Sequence, residues 1–159
     1  GIGEGDLNLI SAGRIRYLWQ PILTEIKTKP EVIWFGYGIH GITNMRAWQT
    51  GTIFSVGHAH NMYLDMVLES GLIGLFSLLA FYFHVLKKLI RGFYRKELNS
   101  YQKDLLAAVI VAIICYLISG LTGRRLFPSL SNIYVWIITG LGYSLVSSPS
   151  VFTKGGKEP

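Results

Sequence analysis

Two imidazoles, an amide and two carboxylates stand directly before a long apolar run, in His58-Ala59-His60-Asn61-Met62-Tyr63-Leu64-Asp65 and the following Glu69-Ser70-Gly71-Leu72-Ile73-Gly74. An imidazole exchanges a proton near neutral pH, so acid–base catalysis is the chemistry this segment can do. Titratable groups at the edge of an apolar stretch are costly to hold there, and a functional site is the default reading. Three readings compete for the histidines. A metal centre drawn from His40, His58, His60 and Asp65 is disfavoured, because His-x-His sends its ligands to opposite sides of a helix and lacks the His-Glu-x-x-His spacing. Hydrogen-bonded interfacial histidines account for His58 and His84. For His60 the interfacial reading and acid–base work both stand, and no metal or other cofactor is expected.

The arginines form a second set: Arg14, Arg16, Arg46 and the pair Arg124-Arg125. Guanidinium groups grip a lipid-linked phosphate or pyrophosphate through bidentate hydrogen bonds. Taken singly, each is equally well explained by snorkelling to headgroup phosphates.

The elements that must carry these groups are apolar helices. Half of the 159 residues are apolar. Long stretches run over Leu72–Leu86, Leu105–Gly123 and Ile133–Val146, near the roughly 20 residues that cross a hydrocarbon core, the third being short. The chain reads as an all-α, polytopic integral membrane protein. About three transmembrane helices, at about 66–88, 104–123 and 132–148, form a membrane domain over 66–150. An extracytoplasmic loop with short amphipathic helices precedes them at 1–65, and a tail follows at 151–159. Three helices make a thin bundle, so the expectation is the C-terminal portion of a longer protein. Lone Cys115 is expected to be a small buried apolar residue.

The net charge of +6 does not point to nucleic acid. Lys87, Lys88, Arg91, Arg95, Lys96 and Lys103 cluster between the first two apolar stretches, and Lys154 and Lys157 lie in the tail. That is the positive-inside pattern, which puts both segments in the cytoplasm and the histidines on the outer face.

Within 1–65, Ser11 is positioned to cap a helix over 13–28 that Pro21 kinks or restarts. Tyr17, Trp19 and Trp34 suit an amphipathic element resting in a membrane interface. Lys29-Pro30 ends it, Glu31–Phe35 reads as extended, Gly36–Gly38 as a turn, and 39–57 as loop. A helix starting near His58 would align His58, Asn61, Asp65 and Glu69 within about 60° as a polar stripe. His60 would lie opposite, with Leu64, Val67 and Gly71. Gly71 and Gly74 would let a second helix approach closely.

Together these residues resemble the C-terminal part of the O-antigen ligase and polymerase family. The resemblance rests on Ser11-Ala12-Gly13-Arg14-Ile15-Arg16-Tyr17-Leu18-Trp19, Phe35-Gly36-Tyr37-Gly38, His60-Asn61-Met62-Tyr63-Leu64 and Glu69-Ser70-Gly71-Leu72-Ile73-Gly74. It covers about residues 10–80. The gap from Arg14 to Trp19 is one residue longer than the family's usual pattern, which leaves Arg14 and Arg16 both eligible.

The resemblance implies a glycosyltransferase in the bacterial inner membrane, acting at its periplasmic face in O-antigen or exopolysaccharide synthesis. The donor would be a glycan on undecaprenyl pyrophosphate, and the acceptor another lipid-linked repeat, lipid A core or a protein. It further implies that Arg14 or Arg16, aided by Arg124 or Arg125, holds the donor pyrophosphate. His60 would orient or deprotonate the acceptor hydroxyl, and Asn61 would fix the imidazole or a sugar. Tyr63 and Trp19 would stack on sugar or isoprenoid, with Arg46, Asp65 and Glu69 as further substrate contacts. Two other classes stand against this: a transporter or flippase for a lipid-linked or anionic substrate, and a non-catalytic scaffold. The polar groups gather at one face rather than at midplane, which favours the enzyme over both.

Overall fold

Two asparagine caps set where the long helices begin. In the computed structural model, which describes residues 13–51, 57–123 and 133–147, the Asn61 carboxamide oxygen accepts the N–H groups of Tyr63 and Leu64, each at 3.0 Å. Asn99 and Gln102 form a reciprocal capping box, each side chain accepting the other's backbone N–H at 2.8 and 3.0 Å. The fold is all-α. A π-helical turn, Ile15–Trp19, runs into α1 (Gln20–Thr28), followed by α2 (Pro30–Phe35). A 3₁₀ turn, Gly41–Asn44, leads to α3 (Arg46–Gln49). Then come α4 (Met62–Phe93), α5 (Ser100–Ser119) with a terminal 3₁₀ turn Gly120–Thr122, and α6 (Ile133–Ser147).

The described residues fall into two units, one built from 13–78 with 120–123 and the other from 79–119 with 133–147. In the first, the π-helical turn and α1 bring Leu18, Ile22 and Ile26 onto a core shared with Val32, Ile42, Met45, Ala59 and Leu68. The four-residue spacing of the first three is one helical face. In the second, Gly142 lets Val109 and Leu89 close on α6, and Gly92 does the same for Val146. The Arg95 guanidinium donates to the Val146 carbonyl at 2.9 Å, closing that end.

Two helices, Met62–Phe93 and the α5 stretch through Thr122, are long and apolar enough to cross a membrane; α6 is apolar but shorter. Only 22% and 28% of their apolar windows are buried in the protein, unlike core helices of a soluble fold. Cys115 is exposed on α5, where burial was expected. Tyr17, Trp34, Phe35 and Ile39 are also exposed, an apolar fringe on the first unit.

Several local expectations are corrected. Residues 31–35 are helical, because Pro30 pre-sets φ at the first helical position and Glu31 favours the positive N-terminus of α2. Residues 41–49 are wound into helical turns. The long helix starts at Met62 rather than near His58, so His58 and Asn61 precede it and the four-residue polar stripe does not form. Most consequential is Gly71, which breaks α4 at φ 68°, ψ −168°. The break leaves 72–93 as a helical segment of about 33 Å at 1.5 Å per residue, apolar from Leu72 to Leu86 and ending in Lys87, Lys88 and Arg91.

A helix interrupted at Gly71 orphans the carbonyls of the preceding turn. Those of Leu68 and Glu69 accept instead from the N–H groups of Tyr37 and Gly38, at 2.6 and 3.0 Å. This brings backbone against backbone. A Cβ on Gly36 would strike Glu69 and Ser70, and one on Gly71 would strike the Trp34 carbonyl. Gly71 therefore serves a backbone crossing with the 34–38 segment rather than a helix–helix approach. A Cβ on Gly74 would meet first the side chains of Ser70 and Met66 in its own helix.

Candidate functional site

His60 is held in the left-handed region, φ 53°, a conformation that costs a non-glycine residue about 1–3 kcal/mol. Its neighbours enforce it. The Ala59 N–H donates to Asp65 Oδ1 at 2.6 Å, and the Ala59 carbonyl accepts the Trp19 indole N–H at 2.8 Å. The His60 N–H donates to His58 Nδ1 at 3.1 Å, with the two rings 4.1 Å apart, and Asn61 then caps α4. Strain held by this many contacts is a recurrent property of functional loops.

Arg14 reaches the same place from the other end of the sequence. Its Nη1 donates to the Thr122 carbonyl at 3.3 Å, while Asn61 Nδ2 donates to Leu121 O at 3.4 Å. The Cβ position of Gly123 lies 3.6 Å from His60 Nδ1. Arg14, His60 and Asn61 thus all meet the 120–123 turn. Burial lowers the His60 pKa below its ordinary value, and the Arg14 charge lowers it further. His60 is accordingly a neutral imidazole at physiological pH, able to accept a proton.

The winding of Ile15–Trp19 explains how Arg14 and Trp19 both face this site. Gln20 N–H bonds to the Ile15 carbonyl, an i→i+5 step that absorbs one residue more than an α-turn. Five positions apart, Arg14 and Trp19 thereby share a side. Arg16 is placed elsewhere, with its guanidinium 5.9 Å from the Tyr17 ring centre and lining a separate cleft with Arg46.

The other expected residues divide. Tyr63 lines an apolar groove of about 280 Å³ with Trp19, Leu23, Asn61, Leu64, Val67 and Leu75. Asp65 holds Ala59 as described, and Glu69 accepts the His40 N–H at 3.2 Å, so both carboxylates bind backbone within the fold. Arg124, Arg125 and Ser11 lie outside the described residues. Among those described, no three His, Cys, Asp or Glu side chains converge as metal ligands do.

Comparison with protein-family models, with curated proteins and with solved structures finds no match. The site therefore rests on its own geometry.

Glu25 is the residue the sequence reading missed. Its Oε1 accepts from Arg46 N at 2.7 Å, Tyr37 Oη at 2.9 Å and Lys29 Nζ at 3.4 Å, and its Oε2 from Ala47 N at 3.0 Å. Burial pushes its pKa up, but these four hydrogen bonds outweigh it and leave the carboxyl below its ordinary value. The only local signal was a single acid amid α1, for its partners lie 4 to 22 residues away.

Proposed function

We propose that the chain belongs to a membrane glycosyltransferase of the O-antigen ligase or polymerase type. It transfers or polymerises a glycan from undecaprenyl pyrophosphate at the outer face of the bacterial inner membrane. The observation that carries this reading is the placement of Arg14 and neutral His60 about the 120–123 turn, from sequence positions 46 residues apart.

The chemistry needs a base and a counter-charge. His60 takes the proton of the acceptor hydroxyl as its oxygen attacks the anomeric carbon of the donor sugar. The bond from that carbon to the pyrophosphate oxygen breaks, and the electron pair leaves on the pyrophosphate. Arg14 uses one guanidinium N–H on Thr122, which leaves its other donors for the departing oxyanion. The apolar groove from Asn61 to Leu75 follows α4 toward its apolar stretch, a path suited to the isoprenoid chain. The exposed fringe of Tyr17, Trp34, Phe35 and Ile39 suits the lipid headgroup region.

The test is the host's surface glycan, resolved by size, after deletion of the full-length gene and complementation with wild type, His60→Ala or Arg14→Ala at matched expression. Loss of long glycan in both variants supports the enzyme, with a residual single repeat indicating a polymerase and loss of all transfer a ligase. A wild-type profile in both overturns it.

A further inference from the structure

The cleft that Arg16 enters lies on the other side of α1 and is an open one of about 540 Å³, within the range of small-molecule sites. Three cations line it, Arg16, Lys29 and Arg46, against one carboxylate, Glu25. That carboxylate is engaged within the fold. It accepts four hydrogen bonds, three on Oε1 and one on Oε2, and Lys29 forms the sole ion pair among the described residues. The guanidinium groups of Arg16 and Arg46 have no carboxylate partner among those residues. Among the described residues the cleft therefore keeps two positive charges in excess, in a fixed frame.

The frame is fixed by Glu25 itself. It ties the first N–H groups of α3 to α1, so that Arg46 is anchored by its main chain and its side chain is left to the cleft. Between the cations stand neutral groups. Gln20 and Thr24 make no side-chain hydrogen bond among the described residues, while the Thr28 hydroxyl donates to Glu25 O and keeps acceptor lone pairs. Two guanidiniums flanked by hydroxyls and an amide match an oxyanion carried on a polyhydroxylated ring.

We infer that this cleft is a second anion site, which takes a phosphate-bearing sugar through Arg16 and Arg46. Given the glycosyltransferase reading, on which only this role depends, the ligand is the acceptor glycan, and donor and acceptor charges are held on opposite sides of α1. Arg16 and Arg14, two residues apart, then serve different substrates.

Binding is measured on the full-length protein in phosphatidylcholine nanodiscs, with glucose 6-phosphate as probe and glucose as the uncharged control. Glucose 6-phosphate should bind and glucose should not. Arg16→Gln and Arg46→Gln should each weaken binding by at least about tenfold, the scale of a lost charge-assisted contact. Neither substitution touches the main-chain bonds to Glu25, so folding is preserved. Arg14→Gln and His60→Ala should leave the affinity within about twofold, since they lie outside the cleft. Loss of binding in Arg14→Gln but not in Arg46→Gln overturns the inference. So does absence of glucose 6-phosphate binding together with an Arg46-dependent preference for discs containing phosphatidylglycerol, which would assign the cleft to a lipid headgroup. If the surface glycan is unchanged by His60→Ala while Arg46-dependent binding persists, the enzyme reading fails and the anion site stands.

Discussion

The main-chain N–H of Tyr37 donates to the carbonyl oxygen of Leu68 at 2.6 Å. With the Gly38–Glu69 bond beside it, this joins the turn after α2 to the end of the first α4 segment, and Gly71 makes the join possible. The positions differ in what a side chain would meet, so they differ in what substitution costs. Gly71→Ala adds a clash with the Trp34 carbonyl to an unfavourable φ and should cost at least about 2 kcal/mol. Gly38→Ala meets nothing within 4 Å and should cost only about 1 kcal/mol for its φ of 87°. Thermal unfolding in detergent checks the order, with Gly71→Ala melting several degrees below Gly38→Ala.

Trp19→Phe removes one donor and keeps most of the ring. The Ala59 carbonyl would lose its 2.8 Å bond, worth about 1 kcal/mol, and with it part of the hold on His60. Glycan transfer should fall about tenfold with a nearly unchanged melting temperature, because misplaced catalytic groups are felt more in rate than in stability. An unaltered rate would show that the indole N–H does not position His60.

Asn61 separates structure from chemistry through one pair of variants. Asn61→Ala loses the cap and should cost about 1 kcal/mol. Asn61→Asp keeps both cap bonds but loses the Nδ2 donation to Leu121. Stability should return in Asn61→Asp; if activity returns with it, the amide acts only as a cap.

A base with a lowered pKa works further into acid, since the neutral form persists to lower pH. The acid limb of transfer rate against pH should therefore lie below the ordinary histidine value. In Arg14→Gln the repulsion between guanidinium and imidazolium is gone, so the limb should move upward while the maximum falls. A limb that stays in place would remove Arg14 from the electrostatics of His60.

Glu25 titrates in the opposite sense. Its folded pKa lies below the unfolded one, so its contribution is present above the ordinary value of 4.5 and is lost as pH falls through the folded value. Glu25→Gln should cost about 2 kcal/mol at neutral pH, the scale of hydrogen bonds to a charged group. The difference in melting temperature between wild type and variant should shrink as pH falls below about 4. A gap independent of pH would contradict the charged cap.

What could be read in the sequence follows the range of the forces involved. The long helices were legible because hydropathy is a sum over many residues, and Pro21 and the Gly36–Gly38 turn because they act on their own backbone. The start of α4 was misplaced by four residues, although Asn61 is a favoured cap, because the apolar pattern alone does not mark a first turn. Residues 31–35 read as extended since six residues carry little periodicity, and tertiary packing of Val32 decided the matter. Gly71 was seen as special for the wrong reason; its role depends on Trp34, 37 residues away. Neither the four bonds of Glu25 nor the parting of Arg14 from Arg16 has a local signature.

The i→i+5 turn at Ile15–Trp19 behaves as a phase shifter. Everything before it is rotated by about 100°, one residue's worth of helix, relative to everything after. A chain one residue shorter between its arginine and its tryptophan can present the same guanidinium from an unbroken α-helix. An insertion at this point is thus silent in space, because the turn holds an angle while the spacing changes. Deleting Tyr17 alone would close the turn to an α-turn and leave both Arg14 at the 120–123 turn and Trp19 in place.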